Sequence, residues 1–112
     1  AFRERGAEVL RLPGKDGKVD LKRLVQELGQ RGFNEVHVEG GARLNGALVA
    51  AGLADELLLY LATCLVGDAL RGMFNLPALG SLDDKKLLTI RDARMVGCDF
   101  RILASLSGAA DR

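Results

Sequence analysis

Four apolar positions, Leu21, Leu24, Val25 and Leu28, recur at i, i+3, i+4 and i+7, the spacing that lines one face of an α-helix. Asp20 ahead of them is suited to an N-cap and Gly32 behind them to a left-handed stop, so a helix is predicted over about Asp20 to Arg31. Leu44, Ala47, Leu48 and Ala51 mark a second apolar face, which Gly52 closes; this helix is predicted over Ala42 to Ala51. Around the helices the pattern is β-like. Val9 to Leu12 reads as a short strand ended by Pro13-Gly14-Lys15-Asp16-Gly17, and Glu35 to Glu39 as a second strand running into Gly40-Gly41. Leu57 to Ala62 is a continuous apolar run whose length suits a strand buried on both faces of a largely parallel sheet. From Val9 to Ala62 the order is βαβαβ, with right-handed crossovers expected.

Beyond Ala62 the style changes. Gly67 to Asp84 mixes glycines, Pro77, Asn75 and charges with weak periodicity, and reads as a long loop with room for one helical turn. Loops of that length in a compact domain are often functional or interfacial. Leu88, Ile90 and Met95-Val96, then Gly97-Cys98-Asp99, then Phe100, Ile102 and Ala104 predict an antiparallel hairpin turning near Gly97. Ser105 to Arg112 is expected to fray. The fold class predicted is α/β, a mixed sheet that is mostly parallel and ends in an antiparallel hairpin.

Composition narrows the function classes. The 112 residues suit one small domain, and 48% of them are hydrophobic, enough to build a core. Sixteen basic residues face fifteen acidic ones with no dense basic cluster, so a nucleic-acid surface is not expected. The apolar run at Leu57 falls well short of the roughly 20 residues that cross a bilayer, and the first residues carry no signal-peptide pattern, which points to a cytoplasmic protein. Cys64 and Cys98 lack any metal-ligand spacing and sit in apolar segments, so they are read as reduced, core-like thiols. The chain opens at Ala1 in mid-pattern, which predicts a piece of something longer.

The stretch richest in chemistry is Val38-Glu39-Gly40-Gly41-Ala42-Arg43-Leu44-Asn45-Gly46-Ala47-Leu48. Two glycines that lead straight into a helix leave backbone N–H groups accessible, backed by the positive end of the helix dipole, with no Cβ in the way of a phosphate. No Gly-Lys-Ser/Thr follows, so this is not a Walker loop, and Gly40, Gly41 and Gly46 lack the GxGxxG spacing. Gly46 in mid-helix would let a neighbouring element or ligand approach closely, at a helix cost on the order of 1 kcal/mol. On pattern alone the turn is either a phosphate cradle or a bend. Glu39 is either a substrate-side carboxylate or a solvated strand end. Arg43 either helps hold a phosphate or pairs with solvent, and His37 is assigned no role.

That stretch, followed by Gly52-Leu53-Ala54-Asp55-Glu56-Leu57-Leu58-Leu59-Tyr60, Leu65-Val66-Gly67-Asp68, Ala69-Leu70-Arg71-Gly72-Met73-Phe74 and Arg94-Met95-Val96-Gly97-Cys98-Asp99-Phe100-Arg101, resembles the reductase domain of the bacterial riboflavin-biosynthesis bifunctional deaminase/reductase. The likeness runs from about Val19 to Leu103. It implies a dihydrofolate-reductase-like fold, with residues 1–112 as the C-terminal half of the reductase domain. It also implies an NADPH-dependent reduction of the ribosyl group of 5-amino-6-(5-phosphoribosylamino)uracil to ribityl. By the resemblance Glu39 contacts substrate, while Gly41, Ala42, Arg43, Leu44, Asn45, Gly46 and Ala47 hold the NADPH phosphates. Gly40 stands where the family has Ala or Gly, and Thr63-Cys64 where many members have Pro-Lys.

The resemblance further implies that most substrate contacts and the reader of the NADPH 2′-phosphate belong to an N-terminal half absent ahead of Ala1. The fragment alone is therefore expected to be inactive, the parent to be a homo-oligomer, with a dimer favoured, and no metal is expected. Two rivals stay open: an oligomerisation module in which the glycine turn is only a bend, and another reductase of the same superfamily acting on a pterin or nucleoside.

Overall fold

The computed structural model describes residues 1–70 and 72–107; Arg71 of the resemblance and most of the tail expected to fray therefore lie outside the described residues, while Ser105 and Leu106 of that tail are paired strand residues, held by partners on both sides. The chain divides into two units, Ala1–His37 and Val38–Arg112.

In the first unit, helix α1 spans Leu21–Gln30, and its N-cap is Asp20, whose side chain accepts from the Arg23 N–H. Leu21, Leu24 and Leu28 of the predicted stripe are half-buried, whereas its fourth member, Val25, is exposed and Glu27 is half-buried in its stead, so the stripe is the packed face only in part. Gly32 follows in left-handed backbone (φ +88°), the conformation in which a residue without Cβ ends a helix at low cost. Arg31 then ties the end of α1 to the incoming chain, donating to both carboxylate oxygens of Glu8 at 2.7 and 2.9 Å and to Glu27 at 3.0 Å. The strand predicted at Val9–Leu12 is replaced by an isolated bridge, Pro13 to Val19. Its backbone is used instead to close a tight loop, in which the Asp20 N–H donates to Leu12 and the Gly14 N–H to Lys18, both at 2.7 Å.

The second unit holds helix α2 (Ala42–Ala50) and strands β1 (Glu56–Leu61), β2 (Leu88–Val96) and β3 (Asp99–Leu106). The strands form one antiparallel sheet in the order β1-β3-β2. The β2–β3 hairpin turns at Gly97 as its sequence requires, with φ +61° there. One 3₁₀ turn, Leu82–Asp84, interrupts the long loop before it.

The expectation for Leu57 to Ala62 needs correction. β1 is an edge strand antiparallel to β3, with Leu57, Leu59 and Leu61 opposite Ala104, Ile102 and Phe100. An unbroken apolar run says nothing of direction, and the far edge of the hairpin supplies its partner some forty residues downstream. Glu35 to Glu39 forms no strand, so the parallel part of the predicted sheet is absent among the described residues. The architecture is mixed α/β.

Register makes the sheet two-faced. One face carries Leu57, Leu59, Leu61, Leu88, Ile90, Ala93, Met95, Phe100, Ile102, Ala104 and Leu106; the other carries Glu56, Tyr60, Asp92, Arg94, Arg101 and Ser105 among a few apolar residues. Arg91 is the extra residue at a bulge between Ile90 and Asp92, which keeps the alternation in phase on both sides of the irregularity. Ala104 at the centre is 1% exposed, but Leu61, Leu88, Ile90 and Met95 at the margins stay open to solvent. Both cysteines are exposed rather than core-like: Cys64 lies in the bend after β1 and Cys98 in the hairpin turn, where neither has a sheet face to pack on.

Candidate functional site

The two helices differ at their N-termini. Asp20 caps α1 with its side chain, whereas α2 starts at Gly41 with no side-chain cap. The first-turn N–H groups of Ala42, Arg43 and Leu44 precede the earliest residue that finds an intrahelical acceptor, Asn45, whose N–H donates to the Gly41 carbonyl at 3.0 Å. Those dipoles point out of the helix start, the polarity that favours an anion.

The two glycines of the turn differ in what surrounds them. A Cβ on Gly40 would press on Leu44, 2.9 Å from its Cδ2, and on the Asn45 side chain. A Cβ on Gly41 would meet nothing within 4 Å, and its backbone (φ −82°, ψ −179°) is open to any residue. As the N-cap of α2 Gly41 is a favourable residue, but no steric contact of the fold demands glycine at 41. The empty space where its side chain would stand is where an approaching group would lie.

Asn45 braces the turn from behind, its Nδ2 donating to the Gly40 carbonyl at 3.1 Å. Gly46 is the buried residue of α2. Its side without a Cβ meets Asn75, whose N–H donates to the Ala42 carbonyl at 2.9 Å, and a Cβ on Gly46 would collide with the Asn75 carbonyl and lie 2.9 Å from its nitrogen. The close neighbour anticipated for this glycine is thus a loop backbone.

Gly41, Ala42 and Arg43 line an open cleft of about 690 Å³ together with Gly72, Phe74 and Asn75, a size that suits a small ligand. Of the residues expected to hold cofactor, these first three share the cleft, while Leu44, Asn45, Gly46 and Ala47 continue the helix away from its lining. Glu39 is exposed two residues before Gly41. The second wall, Gly72 to Asn75, went unassigned in the sequence. Its signals there are its place in the long Gly67 to Asp84 loop, of a kind that is often functional, and Gly46, a helix glycine that needs something close by. Among the described residues no group of three or more His, Cys, Asp and Glu could hold a metal, and no helix is long and apolar enough to cross a membrane.

Comparison with known proteins gives a consistent family. The family model described as RibD C-terminal domain matches residues 2–100. The riboflavin biosynthesis protein RibD of Haemophilus influenzae is 41% identical over 88 residues, covering 79% of this chain and 24% of that protein. A Buchnera aphidicola protein named 5-amino-6-(5-phosphoribosylamino)uracil reductase is 26% identical over 88 residues, covering 79% of this chain and 42% of its own length. Among solved structures, Acinetobacter baumannii RibD superposes with a TM-score of 0.74 at 30% identity, over 80% of this chain and 25% of that one. The chain therefore spans about a quarter of the length of the RibD proteins it matches.

Proposed function

The chain belongs to the RibD C-terminal domain family, and from that premise we propose that it is the C-terminal half of the reductase domain of a riboflavin-biosynthesis enzyme. The intact parent reduces the ribosyl group of 5-amino-6-(5-phosphoribosylamino)uracil to ribityl with NADPH, and this part alone is inactive. The observation that carries the reading is the pairing of an uncapped α2 with a glycine whose missing side chain faces open space. Together they fit a phosphate group, and no steric contact of the fold calls for the missing side chain.

When bound there, NADPH supplies the hydride for reduction. Gly41 and the first turn of α2 hold its diphosphate through backbone N–H groups, with Arg43 beside them on the cleft wall. Residues 44 to 47 lie behind this wall and continue the helix that aims those N–H groups. Glu39, two residues earlier and so within about 7 Å along the chain, contacts the substrate. Its carboxylate accepts hydrogen bonds from sugar hydroxyls and favours positive charge developing at the reacting carbon. The strands that would make the sheet mixed, in a dihydrofolate-reductase-like fold, form when the rest of the parent supplies their partners. The parent works in the cytoplasm as a homodimer.

The test is the full-length protein with NADPH and the phosphoribosylaminouracil, followed by loss of reduced-nicotinamide absorbance and by identification of the ribityl product. Oxidation of NADPH only when that substrate is present is the expected result. No oxidation with it, but oxidation with a pterin, would overturn the substrate assignment in favour of a related reductase.

A further inference from the structure

The Gly72 to Asn75 segment lies outside the residues that the reductase reading assigns, yet it forms half of the cleft at Gly41. Two backbone contacts fix its place. The Asn75 N–H donates to the Ala42 carbonyl at 2.9 Å, and the Asn75 peptide lies in the space that a side chain on Gly46 would fill. With any Cβ at position 46 the obstacle is main chain, not the end of a flexible side chain, so the whole segment would have to lift. Gly46 is buried by this contact although it sits in a helix whose other residues are half-buried or exposed, and it costs the helix about 1 kcal/mol relative to alanine.

We infer that Gly46 and Asn75 are positioning residues for cofactor binding: Gly46 leaves a seat on α2, Asn75 occupies it, and the seated segment holds Phe74 and Gly72 as the wall facing Gly41 and Arg43. This rests on the reading of the Gly41 turn as the NADPH-phosphate site. It changes the role of Gly46, which acts through Asn75 and not by touching the cofactor. Lifting the segment opens one side of the cleft and leaves the α2 N-terminus intact. The loss therefore falls on NADPH affinity and not on the substrate or the chemical step.

The experiment uses the full-length enzyme with two lesions of the same seat. Gly46→Ala blocks the seat sterically, and Asn75→Pro removes the N–H that fastens it. Each is expected to raise the KM for NADPH about ten-fold, a loss of about 1.4 kcal/mol, with the KM for the aminouracil and kcat at saturating NADPH near the parent values. The double variant should be no worse than the more severe single one, because a seat already empty cannot be emptied again. Losses that multiply would mean two unrelated defects and overturn the inference, as would an unchanged KM in a folded Gly46→Ala. Melting curves identify a variant that fails to fold, in which case the other single variant decides by the same criterion. Gly41→Val runs alongside. If it leaves NADPH binding unchanged, the phosphate-site reading itself fails; if it weakens binding while the seat variants do not, only the present inference fails.

Discussion

Arg101 on β3 donates to the Asp92 carboxylate on β2 at 3.1 Å, while Arg94, directly opposite Arg101 in the ladder, donates to the same oxygen at 2.7 Å. One carboxylate thus separates two guanidinium groups that register has placed face to face. Like charges directly opposite on neighbouring strands repel, so the acid is what makes this pairing tolerable. Asp92→Asn is expected to lower the melting temperature by a few degrees at low ionic strength. The deficit should shrink as salt is added, since Arg94 is open to solvent and Asp92 and Arg101 are only partly buried. A deficit independent of salt would point to packing at the bulge instead.

Two carboxyls titrate below their ordinary range. A side-chain hydrogen bond from Arg31, helped by its charge, lowers Glu8. A hydrogen bond from Arg94, against some desolvation, lowers Asp92, with the charges of Arg94 and Arg101 adding to the effect. A depressed folded-state value means that the ionised form is favoured by folding. The stabilisation is complete above the ordinary carboxylate range and is lost as pH falls through the lowered values. Thermal melts should be level from neutral pH down to that range and decline below it. Glu8→Gln and Asp92→Asn should each flatten part of the decline, and a slope unaltered in both would assign it to other acids.

How much of this was legible beforehand depended on how local each signal was. Asp20, the stripe from Leu21 to Leu28 and Gly32 lie within one helix length, and both α helices and the Gly97 hairpin stand where the sequence put them. β1 was legible as a strand but not as an antiparallel one, because its partner lies beyond the long loop. Val9–Leu12 and Glu35–Glu39 have strand-like composition without a ladder, for a strand is a property of two segments and not of one. At the site, the glycine turn was readable. Gly46 announced a close neighbour, but not that the neighbour is the wall from Gly72 to Asn75, since the contact is made by main-chain atoms of Asn75 that its residue type does not announce.

For Glu39 the proposed role lies on the substrate side, which separates it from the turn that follows. In the full-length enzyme Glu39→Gln keeps the shape and removes the charge. NADPH affinity should stay within about two-fold of the parent while kcat falls by about ten-fold or more, the pattern of an interaction made mainly in the transition state. Cofactor titration beside steady-state kinetics measures both quantities. Unchanged turnover would return Glu39 to the role of a solvated carboxylate.

The sheet itself predicts how the isolated 112 residues behave. β1 and β2 are both edge strands among the described residues, and the apolar face they flank leaves Leu61, Leu88, Ile90 and Met95 open. Unpaired strand edges beside exposed apolar surface recruit further chains. Light scattering on the isolated chain should give a mass that rises with concentration, and co-expression with the rest of the parent should suppress the rise. A monodisperse monomer at high concentration would contradict this.

The sharpest prediction compares neighbouring glycines that differ in what surrounds them. At Gly40 a side chain would press on Leu44 and Asn45, and the Asn45 hydrogen bond to the Gly40 carbonyl would be strained with it. Gly40→Val should therefore lower the melting temperature by several degrees. At Gly41 there is open space and an ordinary extended backbone. Replacing that glycine restricts the unfolded chain, worth roughly 0.4–1 kcal/mol, and the poorer N-cap that valine makes offsets a gain of that size. Gly41→Val should melt within a degree or two of the parent, and because its side chain fills the proposed cradle it should still weaken NADPH binding by about ten-fold or more. Paired melting curves and NADPH titrations of the two full-length variants separate the cases. Lost binding without lost stability at Gly41 identifies a glycine kept for its ligand. Intact binding in a folded Gly41→Val would leave the turn as a bend and move the argument toward an oligomerisation role.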